Sequence, residues 1–162
     1  MSEGASPSEQ LIDAARRNNV DLLESIISDN KDGITQLINT SQDVMGNKPL
    51  HLAATYGAFE VLDILLDQEG VELDSKNRLD ENTPLHLAVK YSEEEPEHGT
   101  FIVEELIAAG ADVTATNKNG DKPVDLVVNN PELTQILLNA EYASNVVTVD
   151  EDEDAGPASD SD

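Results

Sequence analysis

The sequence contains no cysteine, few aromatic residues and no long apolar run. Without cysteine, the chain can form neither disulfides nor thiolate metal sites. Aromatic residues make up 3% of the 162 residues against 38% hydrophobic residues, so the core must be mostly aliphatic. No apolar run approaches the roughly 18 residues of a transmembrane helix, and the first ten residues lack the basic and apolar regions of a signal peptide. We therefore expect a single soluble domain in the cytoplasm or the nucleus.

Positive charge is also scarce. Nine Lys and Arg residues stand against 34 Asp and Glu residues, which gives a net charge of −25. A polyanion of this strength is repelled by the phosphates of nucleic acids and by anionic membrane surfaces, so we expect neither as a partner. The charge serves solubility alone, or it indicates a basic protein partner.

What the sequence does contain is an internal repeat. The segments GNKPLHLAATYG at 46–57 and NTPLHLAVKYS at 82–92 share Pro-Leu-His-Leu-Ala in register, and GDKPVDLVVNNP at 120–131 is a weaker copy. An aliphatic run follows each copy, and residues 9–27 form a fourth copy that keeps only an Ala-Ala pair and the later aliphatic helix. Because one such unit cannot bury its own apolar face, we expect about four units to stack around one core.

Local signals predict where the helices begin and end. Thr83 can cap a helix that Pro84 begins, because proline at the first helical position loses no needed hydrogen bond. Gly110 suits the left-handed residue that follows the end of a helix. Asn130 before Pro131 predicts another capped start.

The repeated segments resemble the ankyrin repeat, whose T-P-L-H-x-A signature and G-A-D-V turn match residues 83–88 and 110–113. The DAARRNN opening and the EEPEHG segment are similar to those of small fungal ankyrin-repeat proteins with no assigned function. The resemblance covers roughly residues 8–140 and implies an all-α solenoid of helix-turn-helix units with short hairpin-like finger loops. We place the units at about 8–42, 43–76, 77–116 and 117–142, between a disordered N-terminus (1–7) and a disordered acidic tail (143–162).

Two segments depart from the spacing of the family. An ankyrin repeat has about 33 residues, whereas Pro84 and Pro123 are 39 residues apart. We assign the six extra residues to SEEEPE at 92–97, an acidic insertion at the corner between two helices. The same spacing in the first copy predicts a long loop at 29–40.

The resemblance assigns structural roles to two of the three histidines. His51 and His86 occupy the signature position, whose ring hydrogen-bonds the backbone of the neighbouring loop. Lys48 and Lys122 replace the signature threonine and Asp125 replaces the histidine, so we expect weaker bonds in those copies.

His98 has no family role, and we expect it in an exposed corner beside the glutamates of the insertion. Its surroundings raise the question of a metal site, but no ligand set has the spacing of a zinc or EF-hand site. No nucleophile–base pair or phosphate-binding glycine loop is recognisable. We predict no metal, no cofactor and no catalysis.

The resemblance also implies which residues face a partner. In this family, the two residues after the Ala-Ala pair tend to line a concave groove that the fingers flank. Tyrosine and arginine commonly anchor interface cores, so we predict a principal stripe of Arg17, Tyr56, Lys90 and Tyr91. The alternative is that the tyrosines are half-buried spacers. The full predicted partner-binding set is Arg16, Arg17, Met45, Thr55, Tyr56, Arg78, Lys90, Tyr91, Asn129 and Asn130.

The tail has no basic residue and seven acidic residues between 150 and 162, so it cannot bury enough apolar surface to fold. Val146, Val147 and Val149, followed at once by acids, resemble a SUMO-interacting motif, in which a short apolar strand extends a sheet edge. The alternative is a solubilising tail. A further hypothesis is that the tail folds back onto the groove and competes with an acidic ligand.

Three functions are consistent with these observations. The first is a non-catalytic adaptor or chaperone-like escort for a basic partner, such as a ribosomal protein or a histone. The second is a scaffold whose neutral-to-basic groove binds an ordinary or acidic segment, with the tail as regulator. The third and remotest is a metal-dependent enzyme that uses His98 and the insertion. We expect the chain to be a monomer.

Overall fold

The computed structural model describes the backbone of residues 5–155 and the side chains of residues 5–145. Within residues 5–155 the secondary structure is helical and contains no β-strand. No helix in that range is long and apolar enough to cross a membrane. In chain order the helices are α1 (Pro7–Arg17), α2 (Val20–Asp29), α3 (Ile34–Thr40), α4 (Pro49–Tyr56), α5 (Phe59–Leu66), α6 (Pro84–Tyr91), α7 (Pro96–Ala109), a 3₁₀ helix (Pro123–Leu126) and α8 (Pro131–Ala155).

The helices form two layers of a stack. The inner layer contains α1, α4, α6 and the 3₁₀ helix side by side, and the outer layer contains α2, α5, α7 and α8. One aliphatic core runs between the layers, as the composition predicts. The repeated small residues Ala14, Ala53 and Ala88 are fully buried, which lets neighbouring helices approach closely. Each fully buried leucine stabilises the stack by about 1.5–3 kcal/mol relative to an exposed one.

The predicted helix boundaries are confirmed. The Thr83 hydroxyl accepts a hydrogen bond from the backbone N–H of His86 (3.3 Å) at the start of α6. The Asn130 side chain accepts one from the backbone N–H of Leu133 (3.1 Å) at the start of α8. Gly110, which ends α7, has the left-handed φ of 110° that favours glycine.

The segment at 29–40 was expected to be a loop, but it contains the helix α3. Ile34 and Ile38 lie one turn apart on the same face of α3 and are both buried. The other face is tied to the next unit, since Thr35 donates to the Glu69 carbonyl (2.6 Å) and Asn39 donates to the Gly70 carbonyl (3.0 Å). The i, i+4 spacing of the two isoleucines is the sequence signal for this helix.

The inner helix of the fourth unit is reduced to the 3₁₀ helix. Its segment lacks the alanine pair of the other units and contains β-branched valines, which have lower helix propensity. Asn129 then adopts a left-handed φ of 51°, and Pro131 follows it. The last unit therefore covers α6 and α7 with a shorter inner element and a long outer helix.

The acidic insertion lengthens α7 at its start. When the buried residues of α5 and α7 are aligned, Phe59, the first residue of α5, corresponds to Thr100. Helix α7 begins four residues before Thr100, at Pro96. The rest of the insertion forms the turn between α6 and α7. Gly99 lets the added turn pack against Ser92, because a β-carbon there would meet the Ser92 backbone.

Helix α8 continues beyond the length of the other outer helices. The last residue of α7, Ala109, aligns with Ala140, but the backbone of α8 is helical to Ala155. At 1.5 Å per residue, the extra 15 residues extend the helix by roughly 22 Å. The sequence predicts a disordered tail at 143–162 that contains a valine motif (Val146, Val147 and Val149). The side chains of most of these residues lie outside the described part of the chain.

Candidate protein-binding surface

Three loops project from the stack as fingers: finger 1 (41–48), finger 2 (74–83) and finger 3 (112–122). Each finger is closed by an Asp or Asn side chain that accepts hydrogen bonds from backbone N–H groups. Asp43 accepts from residues two and four positions on (both 2.9 Å), and Asn117 does the same in finger 3 (both 3.0 Å). Asn77 accepts from Asn82 in finger 2 (3.0 Å). These turns fix the shape of each finger.

Hydrogen bonds also join each finger to the next. The Asn77 amide donates to the Asn47 side chain, and the Asn117 amide donates to the Asn82 side chain, both at 2.9 Å. Two backbone bonds lie closer to the tips, from Arg78 N–H to the Met45 carbonyl (3.1 Å) and from Lys118 N–H to the Asp80 carbonyl (2.9 Å). The three fingers therefore form one connected surface.

The signature histidines anchor the bases of the fingers, as the resemblance implies. His51 Nδ1 accepts from the Lys48 backbone N–H (3.0 Å), so its Nε2 carries the proton and faces the Ser75 and Asn82 carbonyls at 2.9 and 3.0 Å. His86 Nδ1 accepts from the backbone N–H of Thr83 (3.1 Å).

Burial favours the neutral form of both rings. His86 Nε2 lies 2.8 Å from the Asp121 carbonyl of finger 3, in the same arrangement as His51 Nε2 one finger earlier. Removal from water lowers the pKa of His51 and His86, and hydrogen bonds to backbone carbonyls oppose this effect only in part.

The fourth unit keeps only the hydrogen bond at its own finger base and lacks the contact with a following finger. The Asp125 carboxylate accepts from the Lys122 backbone N–H (2.9 Å), as the histidine Nδ1 does elsewhere. A carboxylate has no proton to donate to a following finger, and within residues 5–155 no finger follows this unit. Lys122 instead pairs with Glu141 of α8 (2.6 Å), which raises the pKa of Lys122.

The tips of the fingers carry a mixed apolar and basic surface, here called the fingertip patch. It consists of Val44, Met45, Arg78, Leu79 and Lys118, which line one shallow depression. Val44 is 88% exposed, Leu79 56% and Met45 45%. The Arg78 guanidinium lies across finger 1 and donates to the Val44 carbonyl (2.7 Å). Solvent-exposed apolar side chains held this rigidly are a feature of protein interfaces.

The structure brings only part of the predicted partner-binding set to this patch. Met45 and Arg78 lie in it. Arg16 is in the groove and reaches finger 1, where it pairs with Asp43 (3.8 Å). Arg17 pairs with Asp13 on its own helix (3.1 Å). The Arg17–Asp13 pair is exposed and weak, whereas the Asp43 side chain of the other pair is only 15% exposed. Both pairs offset the positive charge that the sequence predicts there.

The predicted stripe of Arg17, Tyr56, Lys90 and Tyr91 lies away from this patch, at the C-terminal ends of the inner helices. Tyr56 and Tyr91 are the last residues of α4 and α6, each of which begins at a finger. Tyr56 and Lys90 are exposed, as is Thr55, whose hydroxyl donates back to the His51 carbonyl (2.8 Å). The predicted partner-binding set therefore divides into a fingertip part, Met45 and Arg78, and a far-end part that contains the stripe.

Tyr91 and His98 are placed differently from the prediction. Tyr91 is half-buried against Gly57 of the preceding unit, as in the spacer alternative, and its pKa is raised by burial and by the nearby Glu95 and Glu94. His98 is not an exposed residue of the corner. It is half-buried, its Nε2 lies 2.9 Å from the Gly57 carbonyl, and its ring meets that of Tyr91 edge-on.

The last two predicted residues have structural roles. Asn129 supplies the left-handed turn before α8, and Asn130 caps that helix. Asn129 is exposed at the far end of the groove, whereas Asn130 is partly buried.

Sequence reasoning does not identify Val44 or Leu79 as members of the surface. The available signal for Val44 is its position directly after the turn-forming residue Asp43. Arg78 in finger 2 and Lys118 in finger 3 occupy the equivalent position.

Within the part of the chain whose side chains are described, no group of three or more His, Asp or Glu residues could hold a metal ion. His51 and His86 are committed to backbone hydrogen bonds. The geometry around them therefore serves the fingers and supplies no acid–base pair.

Comparison with known proteins agrees with this architecture. The family profile for ankyrin repeats (three copies) matches residues 11–96, and the profile for a single ankyrin repeat matches residues 80–118. The ankyrin repeat-containing protein YGL242C of Saccharomyces cerevisiae is 53% identical over 148 residues, which cover 88% of this chain and 82% of the yeast protein.

Two more distant relatives are matched over a small part of their own length. The neurogenic locus notch homolog protein 1 of Xenopus laevis is 37% identical over 99 residues, or 60% of this chain and 4% of the frog protein. Alpha-latrocrustotoxin-Lt1a of Latrodectus tredecimguttatus is 29% identical over 109 residues, or 67% of this chain and 7% of the toxin. The matching family profiles describe repeats that generally act as non-catalytic protein-binding modules. The chain belongs to the ankyrin-repeat family.

Proposed function

We propose that this protein is an adaptor that binds a segment of another protein at the fingertip patch. The exposure of Val44, Met45 and Leu79 on one rigid surface supports this most strongly. The exposed parts of these apolar side chains do not contribute to the stability of the stack. Their burial by a partner would remove them from water and contribute to affinity.

The charges of the patch suggest the chemistry of the segment. Lys118 forms no ion pair with a carboxylate among the described side chains, and Arg78 donates only to a backbone carbonyl there. A segment with apolar side chains flanked by Asp or Glu would therefore match both features of the patch. This chemistry corresponds to a scaffold that binds an ordinary or acidic segment.

An escort for a basic protein is the second candidate function. It is supported by the net charge of −25, of which only −8 comes from residues 141–162. The remaining 26 acidic and 9 basic residues give −17 to the rest of the chain. Such a charge would shield a basic partner and speed its encounter with the protein.

The test is affinity capture from cell extract followed by mass spectrometry, with three forms of the chain compared. These are the unmodified chain, the M45E/L79E double variant, and the control variant L138E. Leu138 is 44% exposed on α8, outside the fingertip patch, so it matches Met45 in exposure. We expect a partner that the unmodified chain and L138E capture and M45E/L79E does not.

Binding at the patch would be contradicted if all three forms captured the same proteins. Because the substituted side chains are exposed, thermal unfolding of the three forms should agree within a few degrees. Salt dependence separates the candidate functions, since capture of a basic protein by net charge fades steeply as salt rises.

A further inference from the structure

We propose that the outer face around Phe101 is a second docking surface, and that its ligand is an arginine-rich protein segment. This surface lies on α5, α7 and the start of α8, whereas the fingertip patch lies on the loops. The inference is independent of the proposed function. A chain with both surfaces would connect two different proteins.

The aromatic part of this surface is exposed but held in place. Phe101 is 45% exposed on the outer side of α7. Its ring stacks on that of Phe59, with centroids 4.6 Å apart and planes inclined by 30°. His98 contacts Phe59 edge-on at 6.4 Å and is itself fixed to the Gly57 carbonyl. The exposed ring is therefore preorganised, which lowers the entropic cost of binding.

Carboxylates surround this ring. In the repeat alignment, Phe101 takes the position that Glu60 has on α5 and Glu132 has on α8, so an acid lies on each neighbouring outer helix. Glu97 lies one turn before Phe101 and Glu104 lies one turn after it on the same helix. The depression beside the ring is lined by Glu97, His98, Thr100, Phe101, Glu104 and Glu132, with no lysine or arginine among them.

This combination matches the guanidinium group of arginine. Its planar cation stacks on an aromatic face and pairs with carboxylates through two parallel hydrogen bonds. Lysine has a compact, strongly hydrated charge and gains less from the ring. A second copy of this chain is a poor occupant, because its own ring of acids would meet these acids in a face-to-face dimer.

The test measures binding of fluorescein-labelled nona-arginine and nona-lysine peptides to the full chain by fluorescence anisotropy at 150 mM salt. We expect the arginine peptide to bind more tightly. Phe101→Ala should weaken binding of the arginine peptide by roughly threefold or more, since an exposed cation–π contact has about that effect. Binding of the lysine peptide should weaken less. Phe101→Tyr keeps an aromatic face and should keep the preference for arginine.

Two charge variants separate a local site from general attraction to an acidic protein. E97Q/E104Q/E132Q removes three acids beside the ring, whereas D29N/D67N/E69Q removes three exposed acids from the finger-side ends of α2 and α5. We expect the first to weaken nona-arginine binding several-fold more than the second. Equal losses, or an F101A variant that binds both peptides like the unmodified chain, would overturn the proposal.

Three further measurements complete the test. Thermal unfolding shows whether F101A folds, and F101L provides a second variant if it does not. Sedimentation of the unmodified chain and F101A should give the same mass, and a dimer lost in F101A would overturn the proposal in favour of self-association. The M45E/L79E variant should bind nona-arginine normally, which keeps this result separate from that of the fingertip patch.

Discussion

Gly46 and Arg78 lie so close that a β-carbon on Gly46 would be 2.8 Å from the backbone nitrogen of Arg78. Fingers 1 and 2 are therefore in close contact at Gly46. Gly46→Ala should separate them and weaken the bond from Arg78 N–H to the Met45 carbonyl, which shapes the fingertip patch. We expect weaker partner capture and a lower free energy of unfolding in urea.

Finger 3 provides the matched control. Gly120 has the equivalent position and nearly the same φ (81° against 79°), but a β-carbon there would meet nothing within 4 Å. Both alanine variants carry the cost of a left-handed residue, about 1–2 kcal/mol. Gly46→Ala should cost more than Gly120→Ala, and equal costs would show that the fingers are not in close contact.

A second prediction concerns Gly57 and Tyr91. A β-carbon on Gly57 would overlap the ring and hydroxyl of Tyr91, and Gly57 also has a left-handed φ of 68°. Gly57→Ala should therefore destabilise the stack by both strain and overlap. In the Tyr91→Ala background only the strain remains, so the same substitution should cost less. Urea unfolding of the four forms of this double-mutant cycle gives the coupling, and additive effects would contradict the contact.

The buried histidines predict a pH dependence of stability. Burial lowers the pKa of His51 and His86, so the unfolded chain takes up protons at a higher pH than the folded chain. Their contribution is complete above the unfolded pKa of about 6.5 and is lost as pH falls towards the folded pKa. The free energy of unfolding should decrease below about pH 6.5 by up to about 1.4 kcal/mol per pH unit for each histidine.

The H51Q/H86Q double variant isolates this effect, because the carboxylates titrate in both proteins. The variant should be less stable at pH 7.5, since each lost ring leaves backbone groups without a partner at about 1–3 kcal/mol. Its stability should fall less steeply between pH 7 and 5.5. Parallel pH curves for the two proteins would rule out a lowered pKa for these rings.

The tail provides a fourth prediction. Deleting residues 143–162 removes seven acidic residues and no basic one. If the tail competes for the basic side chains of the groove and fingertips, deletion should raise the affinity for an acidic, leucine-containing peptide. The effect should be largest at low salt, where charges are least screened. Peptide titrations of the full and shortened chains at low salt measure it, and identical affinities would exclude competition.

Much of the fold follows from the sequence because the repeat determines it locally. Each Pro-Leu-His-Leu-Ala segment contains a helix start, a buried face and the ring that reaches the next finger. The resemblance to ankyrin repeats therefore predicted the bonds of His51 and His86. The helix α3 was missed because its two isoleucines lie outside the repeat, so no second copy supported them.

The candidate surfaces were harder to predict because they depend on exposure and on neighbours from other units. Repeat position placed Tyr56 and Tyr91 together, but only packing makes one exposed and the other half-buried. The role of His98 depends on a carbonyl 41 residues away, which sequence spacing cannot indicate. Met45 and Arg78 could be predicted because the resemblance to ankyrin repeats places them in finger loops.

The fingers separate the residues that hold their shape from those that face outwards. Asp43, Asn77 and Asn117 form the turns, whereas the side chains of Val44, Met45 and Leu79 are exposed at the tips. Substitutions of these three exposed side chains should therefore leave the architecture unchanged. Evolution can then exchange binding partners within a constant scaffold, and fingertip residues, more than overall identity, should determine which relatives share a partner.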